Sequence, residues 1–201
     1  MAGDGNLAPM ELELTTERLL LRPLSLADVD LSIELLTDPA VVKHVHKLMT
    51  PAEISDCMPT WIRRGGGGCI GVWCVTDRQT GEKYGTGALL PMPIEEEDTN
   101  WGMIVENEMP EGDVEVGYTL KPSAWGKGYA TEICQRLLQF AFEATSLSEV
   151  VATFDDEHLK SRHVLEKCGF VDCGRRFSYG EDSVDFRITR DEWIAFTHQG
   201  S

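Results

Sequence analysis

Residues 115–132 constrain the fold of this 201-residue chain more than any other segment. Residues 115–120 are rich in Val, Tyr, Thr and Leu, which is typical of a strand. Residues 129–144 carry apolar side chains at helical spacing, and a short loop with Gly126 and Gly128 joins the two segments. Such a loop presents free backbone N–H groups at the positive end of a helix dipole, where phosphate groups bind. The segment therefore predicts an anion site between a sheet and a helix.

The loop differs from two familiar phosphate-binding patterns. It lacks the Gly-Lys-Ser/Thr ending of the Walker loop, so a P-loop-like phosphate binder is disfavoured. Thr131 stands where the third glycine of the dinucleotide-binding pattern would lie. Gly-Lys-Gly is also common in ordinary turns, and a purely structural loop is the alternative interpretation of these residues alone.

Three motifs together identify a family resemblance. Residues 125–130 read Trp-Gly-Lys-Gly-Tyr-Ala, residues 161–170 read Ser-Arg-His-Val-Leu-Glu-Lys-Cys-Gly-Phe, and residues 16–24 read Thr-Glu-Arg-Leu-Leu-Leu-Arg-Pro-Leu. The chain resembles the GNAT superfamily of N-acetyltransferases, on the branch similar to the ribosomal-protein N-terminal acetyltransferases of the RimJ/RimL type. The pyrophosphate loop of that superfamily reads Arg/Gln-x-x-Gly-x-Gly/Ala, and Trp125 replaces its Arg or Gln. The resemblance covers about residues 12 to 195.

The resemblance implies a fold. We expect an α+β (three-layer α/β) GNAT fold with a mixed, mostly antiparallel central sheet of about seven strands and about four flanking helices. The sheet is expected to splay between its fourth strand, which precedes the glycine loop, and its fifth strand, which begins near Val150. Residues 12–197 would form a single acetyltransferase domain that includes an acidic insertion at residues 93–113. Residues 1–11 are expected to be disordered.

The resemblance also implies acetyl-CoA as the co-substrate and no metal. By position, the backbone of the splayed fourth strand would bind the pantetheine arm, and the loop would bind the pyrophosphate through its N–H groups. Two residues after the fifth strand would also contact the cofactor. The cofactor-binding residues predicted in this way are Tyr118, Thr119, Leu120, Trp125, Gly126, Lys127, Gly128, Tyr129, Ala130, Thr131, His158 and Ser161.

The candidate catalytic residue is Glu115. Acetyl transfer to an amine requires a neutral amine, so a group at the site must accept a proton from the ammonium form. Strand alternation places Glu115 on the same face as Gly117 and Thr119, from which it could take that proton directly or through water. The alternative is a surface carboxylate in a run of acidic residues.

Two residues depart from the pattern of the family. Many members use a tyrosine in the helix after the fifth strand to protonate the leaving thiolate, and Leu165 occupies that position here. His158 stands where the branch usually has Asn. These departures support a second hypothesis, in which the chain is a catalytically weak acyl-CoA-binding module.

Histidine and cysteine spacings do not indicate a metal centre. His44 and His46 have no third ligand at a set spacing, so we expect them to be solvated rather than metal-bound. The six cysteines form no Cys-x-x-Cys motif and are expected to be mostly buried free thiols. Free thiols favour a reducing, cytoplasmic location.

The net charge of −16 restricts the partners of the chain. Binding to nucleic acid is disfavoured, because phosphate backbones require a basic surface. An acidic surface instead attracts a cationic amine, so we expect the acceptor to be a small cationic amine or a protein N-terminus. No apolar run reaches the roughly 18 residues of a membrane span, and no signal peptide is expected. The chain could be a monomer or a homodimer.

Overall fold

The computed structural model describes residues 12–44, 47–94 and 96–199. His46 and the predicted disordered segment 1–11 lie outside these ranges. The strands are β1 Leu14–Thr15, β2 Leu19–Pro23, β3 Gly71–Asp77, β4 Lys83–Pro91, β5 Val114–Leu120, β6 Glu149–Phe154, β7 Val171–Ser178 and β8 Glu181–Thr189. The helices are α1 Val29–Leu36, α2 Pro39–Val42, α3 Pro51–Trp61, α4 Tyr129–Ala144, α5 Leu159–Lys167 and α6 Arg190–Gln199.

The strands form one mixed sheet in the order β1-β2-β3-β4-β5-β6-β8-β7. All neighbouring strands are antiparallel except β5 and β6, which are parallel. The predicted GNAT fold is confirmed, but the described residues form eight strands rather than seven and six α-helices rather than four. The extra strand is β1, which lies before residues 16–23. The sequence of residues 16–23 predicts one continuous strand, but this strand, β2, begins only at Leu19, because the Thr16 N–H donates to the Leu19 carbonyl in a turn.

The predicted splay lies between β5 and β6 of the structure. Within the described residues, the two strands are in register only at Glu115 and Val151. Both strands continue beyond this pair, to Leu120 and Phe154, without further pairing between them. Since the strands are parallel, their C-terminal ends lie at the same edge of the sheet, and the gap between them opens toward that edge. We call this gap the β5–β6 opening.

The sheet lies between two helical layers. On one face, α4 packs so closely that a Cβ on Gly87 would lie 2.9 Å from Ile133. Trp73 and Val75 of β3 belong to the core cluster on this face. Cys74, between them in sequence, packs instead with residues of α1 and α3 on the opposite face. The three-layer arrangement thus follows from strands that are apolar on both faces.

Helix α3 begins at residues typical of a helix N-terminus, but its end and the glycine segment after it differ from what the sequence pattern predicts. Thr50 and Glu53 form the capping box that begins α3. The sequence pattern predicts that α3 runs to about Arg64, but the helix ends at Trp61. The glycine run at 65–68 predicts a flexible segment, but the N–H of Gly66 donates to the carbonyls of residues 105 and 108, and the N–H of Gly67 donates to that of residue 106. These hydrogen bonds connect the segment after α3 to the acidic segment 93–113.

The hairpin that joins β7 and β8 is tighter than predicted. The sequence predicts two strands, 172–178 and 183–188, joined by residues 179–182, but only Tyr179 and Gly180 separate the strands. Both have left-handed backbones, with φ of 54° and 76°. This is the geometry of a two-residue hairpin whose twist matches the strands, and it suits glycine better than tyrosine. The hairpin fixes the position of the Tyr179 side chain beside β5.

Candidate active site

The glycine loop lies between the end of β5 and the start of α4. Gly126 and Gly128 have φ of 71° and 81°, a region that only glycine adopts without strain. No atom lies within 4 Å of a Cβ built on Gly126, so the loop surface is open there. Gly128 is the N-cap of α4 and no side chain caps it, which leaves the first N–H groups of the helix available for an anion.

Arg18 binds a backbone carbonyl of this loop. Its Nη1 donates to the Lys127 carbonyl at 2.9 Å, and its Nε donates to the Glu132 carboxylate at 2.7 Å. The guanidinium also lies 4.6 Å from the centre of the Tyr129 ring. Because Arg18 binds both a loop carbonyl and the Glu132 carboxylate of α4, it holds the loop against the first turn of the helix. Arg18 was not predicted as a site residue; the only signal was its place in the Thr-Glu-Arg-Leu motif.

Trp125 links the loop to β5 and α5. Its indole Nε1 donates to the Leu120 carbonyl at the end of β5, at 2.7 Å. The ammonium group of Lys160, in the first turn of α5, lies 5.1 Å from the indole ring. The side chain thus contacts both β5 and α5, although it cannot supply the charge of an Arg at this position.

Glu115 lies at the closed end of the opening, in the only β5–β6 pair of the described residues. It is 8% exposed, and the Tyr179 hydroxyl donates to its Oε1. Burial, together with the negative charge of Asp98, raises the pKa of Glu115 to about 8. The expectation of a surface carboxylate is therefore wrong for this residue.

A hydroxyl pair bridges the opening. The Tyr118 hydroxyl and the Ser161 Oγ are 3.0 Å apart, so the pair joins β5 to α5. Burial raises the pKa of Tyr118 well above its usual range, so the hydroxyl remains protonated. Thr119 faces the opposite side of β5, with Glu115, as alternation predicts. Leu120 is buried in the core, so only its backbone is available to a ligand.

The expectation that His44 is a solvated histidine is wrong. Its Nδ1 is 2.6 Å from Asp155 Oδ2, and its ring stacks on His158 with centroids 4.6 Å apart. Burial lowers the pKa of His158, and the neighbouring His44 lowers it further. Burial by itself would raise the pKa of Asp155, but the hydrogen bond and charge of His44, together with the backbone N–H groups of Glu157 and His158, outweigh it and the net pKa is lowered. The described residues contain no group of three potential ligands for a metal ion.

Two side chains near the site are chemically silent. Leu165 is 1% exposed within the core, so the residue at this position of α5 donates no proton. Cys134 is fully buried, and its hydrogen bond with Cys168, together with burial, raises the pKa of its thiol. Such a thiol is a poor nucleophile.

The site therefore has three parts along one opening. The glycine loop lies at the open edge, the Tyr118–Ser161 and His44–Asp155 pairs lie along the opening, and Glu115 lies at the closed end. An elongated ligand with an anionic end and a reactive end matches this order.

Comparisons with known proteins agree with this geometry. The profile of the acetyltransferase (GNAT) domain family matches residues 18–171. An FsC-acetyl coenzyme A-N(2)-transacetylase of Aspergillus fumigatus is 28% identical over 191 residues, covering 90% of this chain and 77% of that protein. A putative ribosomal N-acetyltransferase, YdaF of Bacillus subtilis, is 36% identical over 85 residues, covering 39% of this chain and 46% of that protein. A spermidine N-acetyltransferase from Vibrio cholerae, solved in complex with CoA and spermine, superposes with a TM-score of 0.67 at 19% identity, covering 89% of this chain and 99% of that chain.

The chain belongs to the GNAT acetyltransferase family. It is accordingly an acyltransferase, and acetyl-CoA is its acyl donor. Across the described ranges, no helix combines the length and the hydropathy needed to cross a membrane.

Proposed function

We propose that the protein transfers the acetyl group of acetyl-CoA to a primary amine by direct attack in a ternary complex. The acceptor is a small cationic amine or a protein N-terminus. The observation that carries the proposal is the buried carboxyl of Glu115 at the closed end of an opening whose other end is the glycine loop. A proton acceptor and an anion site at opposite ends of one opening are what transfer from CoA to an amine requires.

The loop and the edge of β5 would bind the donor. The diphosphate would accept hydrogen bonds from the N–H groups of residues 126–131, where the dipole of α4 adds favourable charge. The pantetheine arm would lie along β5 beyond Glu115, where β6 leaves backbone groups of β5 without a partner strand. His158 and Ser161 would contact that arm from the start of α5.

Glu115 would act as the general base. Its carboxylate would take a proton from the ammonium form of the acceptor, directly or through one water, and so leave a nucleophilic amine. A pKa of about 8 matches this role, because a base works best when its pKa lies near the working pH. The hydrogen bond from Tyr179 would orient the carboxylate.

The charge around the base favours a cationic acceptor. Asp98 lies close enough to Glu115 to act on its pKa, and the chain as a whole carries a charge of −16. Both would attract an ammonium group and repel an anionic acceptor. We place the chain near the RimJ/RimL type on its sequence motifs, with residues 12–197 as one domain. Its free cysteines suit a reducing, cytoplasmic compartment.

Calorimetric titration followed by an acceptor screen tests the proposal. Acetyl-CoA and CoA should each bind saturably, and Gly128→Trp, which fills the loop, should abolish binding. Release of CoA thiol is then measured with spermine, an aminoglycoside, and a peptide with a free N-terminus. The same peptide with an acetylated N-terminus is the matched control. Absence of acetyl-CoA binding by the folded wild type would refute the proposal.

A catalytically weak acyl-CoA-binding module is the second candidate. It is favoured by Leu165, which is buried where the family often has a proton-donating tyrosine. Saturable binding of acetyl-CoA without CoA release for any acceptor of the screen would support it. Any amine-dependent CoA release that Glu115→Gln suppresses would exclude it.

A further inference from the structure

His44 has the hydrogen-bonding arrangement of an acid–base group. Although burial raises it, the pKa of Asp155 is lowered overall by its hydrogen bonds and by His44, so its carboxylate is ionised near neutral pH and only accepts hydrogen bonds. The proton in the 2.6 Å contact is therefore on Nδ1 of His44. In a neutral imidazole the other nitrogen, Nε2, then has a free lone pair. The ring stacks on His158 and its side chain retains 19% exposure, so it is held in place but accessible.

The segment that carries His44 crosses the β5–β6 opening. At the β5 end, Glu34 of α1 forms an ion pair of 2.5 Å with Lys121, which follows β5. At the β6 end, His44 binds Asp155, which follows Phe154 directly. Residues 34–44 thus connect the ends of the two diverging strands, and they place the imidazole at the rim of the opening.

Acetyl transfer needs a second proton movement that Glu115 does not perform. After the amine has attacked, the nitrogen of the tetrahedral intermediate still carries a positive charge and must lose another proton. When the C–S bond breaks, its electron pair goes to sulfur, and the thiolate must gain a proton to leave as CoA thiol. Both atoms are bonded to the same carbon, so one imidazole can reach each in turn.

We infer that His44 is this second acid–base group and that Asp155 is its positioning residue. The inference rests on the proposed function. Nε2 takes the proton from the nitrogen of the intermediate, and the imidazolium then gives it to the departing sulfur. His44 ends neutral, as it began, and the proton taken by Glu115 returns to solvent. The role that Leu165 cannot perform on α5 is thereby supplied from the segment after α2.

Several charged groups surround the stacked rings of His44 and His158. Asp155 binds His44, while Lys160 and Lys43 lie near enough to lower the pKa of His158. Glu157 forms an ion pair of 4.0 Å with the Lys43 ammonium.

Two substitutions separate proton transfer from structure. In His44→Asn the side-chain amide can still donate to Asp155, but nothing replaces Nε2. In Asp155→Asn the amide donates to Nδ1 and fixes the opposite tautomer. Both variants should lower kcat at least about 10-fold and change the Kd of acetyl-CoA less than about twofold. His163→Asn, the same change at an exposed histidine of α5, is the matched control and should leave kcat unchanged.

A measurement without an acceptor completes the test. The imidazole NMR signals of His44, assigned by comparison with His44→Asn, should differ between complexes with CoA and with desulfo-CoA, because only CoA carries the thiol. Identical signals in the two complexes would overturn the inference even if no acceptor is found. Wild-type kcat in His44→Asn would also overturn it while leaving the proposed function intact. Absence of CoA release by the wild type, with a thiol-dependent shift at His44, would count against the proposed function alone.

Discussion

The pKa of Glu115 gives the sharpest prediction, because it controls rate and stability in opposite directions. With a pKa of about 8, the carboxyl is about one-tenth ionised at pH 7 and about nine-tenths ionised at pH 9. If the carboxylate is the base, kcat at saturating substrates should rise about 10-fold between these pH values. Glu115→Gln should lose this rise and lower kcat by about 100-fold or more, with acetyl-CoA binding intact.

The contribution of Glu115 to the free energy of unfolding should fall as pH rises, whereas kcat rises. The pKa of Glu115 in the folded protein lies above its value of 4.5 in an unfolded chain, so the folded state binds the proton more tightly. This stabilisation is complete below pH 4.5 and is lost as pH rises to about 8. The difference between the two pKa values corresponds to at most about 5 kcal/mol at 1.36 kcal/mol per unit.

Urea unfolding of wild type and Glu115→Gln at pH 5 and pH 9 measures this contribution. The variant should gain stability relative to wild type on going to pH 9. Glu143→Gln, at an exposed carboxylate of α4, is the matched control and should show no such gain. A rate that is flat from pH 7 to 9 in the wild type, together with equal pH dependence of unfolding in both proteins, would refute the assignment of a raised pKa and of the base.

Three further substitutions test other contacts of the structure, and Gly81→Ala is the control for the third. Tyr179→Phe removes the hydroxyl that donates to the Glu115 carboxylate, so the rise of kcat with pH should move to higher pH; an unchanged midpoint would contradict this. Arg18→Met frees the loop carbonyl it holds and should raise the Kd of acetyl-CoA about 10-fold by calorimetry, with the melting temperature as a check of folding. Gly169→Ala combines a φ of 89° with a Cβ 2.8 Å from an aromatic ring of α6, and should cost more than about 2 kcal/mol in thermal unfolding. Gly81→Ala, with a φ of 76° and no atom within 4 Å, should lose only the backbone part of that cost.

Local patterns predicted the parts of the site that depend on neighbouring residues. The glycine loop and the start of α4 are adjacent in sequence, and the backbone conformation of Gly128 follows from its residue type. The same holds for Gly169 after α5, whose left-handed backbone is typical of a glycine that follows a helix C-terminus. Alternation along β5 sufficed to place Glu115 and Thr119 on one face.

Contacts between distant residues could not be predicted in this way. The Tyr179 hydroxyl reaches Glu115 across 64 residues, and only because the β7–β8 connection is two residues long instead of the expected four. Arg18 and Lys127 are 109 residues apart, and His44 and Asp155 are 111 apart. Such pairs depend on how separate elements meet, and a single sequence carries no periodic signal for that. The late start of β2, after the turn at Thr16, also depends on a distant contact, since the Thr16 hydroxyl donates to Glu132 on α4.

The single β5–β6 pair also affects how the protein is held together. Strands β1–β5 form one antiparallel ladder and strands β6–β8 another, and in the described residues the backbone joins them only at Glu115 and Val151. Side chains packed under α4, rather than peptide hydrogen bonds, hold the two ladders together. A bound pantetheine arm would take the place of a strand in the β5–β6 opening and connect the two ladders. Those amide hydrogens of residues 116–120 that are not bonded to β4 should therefore exchange quickly in the free protein and slowly in its CoA complex, so that the substrate completes the sheet that binds it.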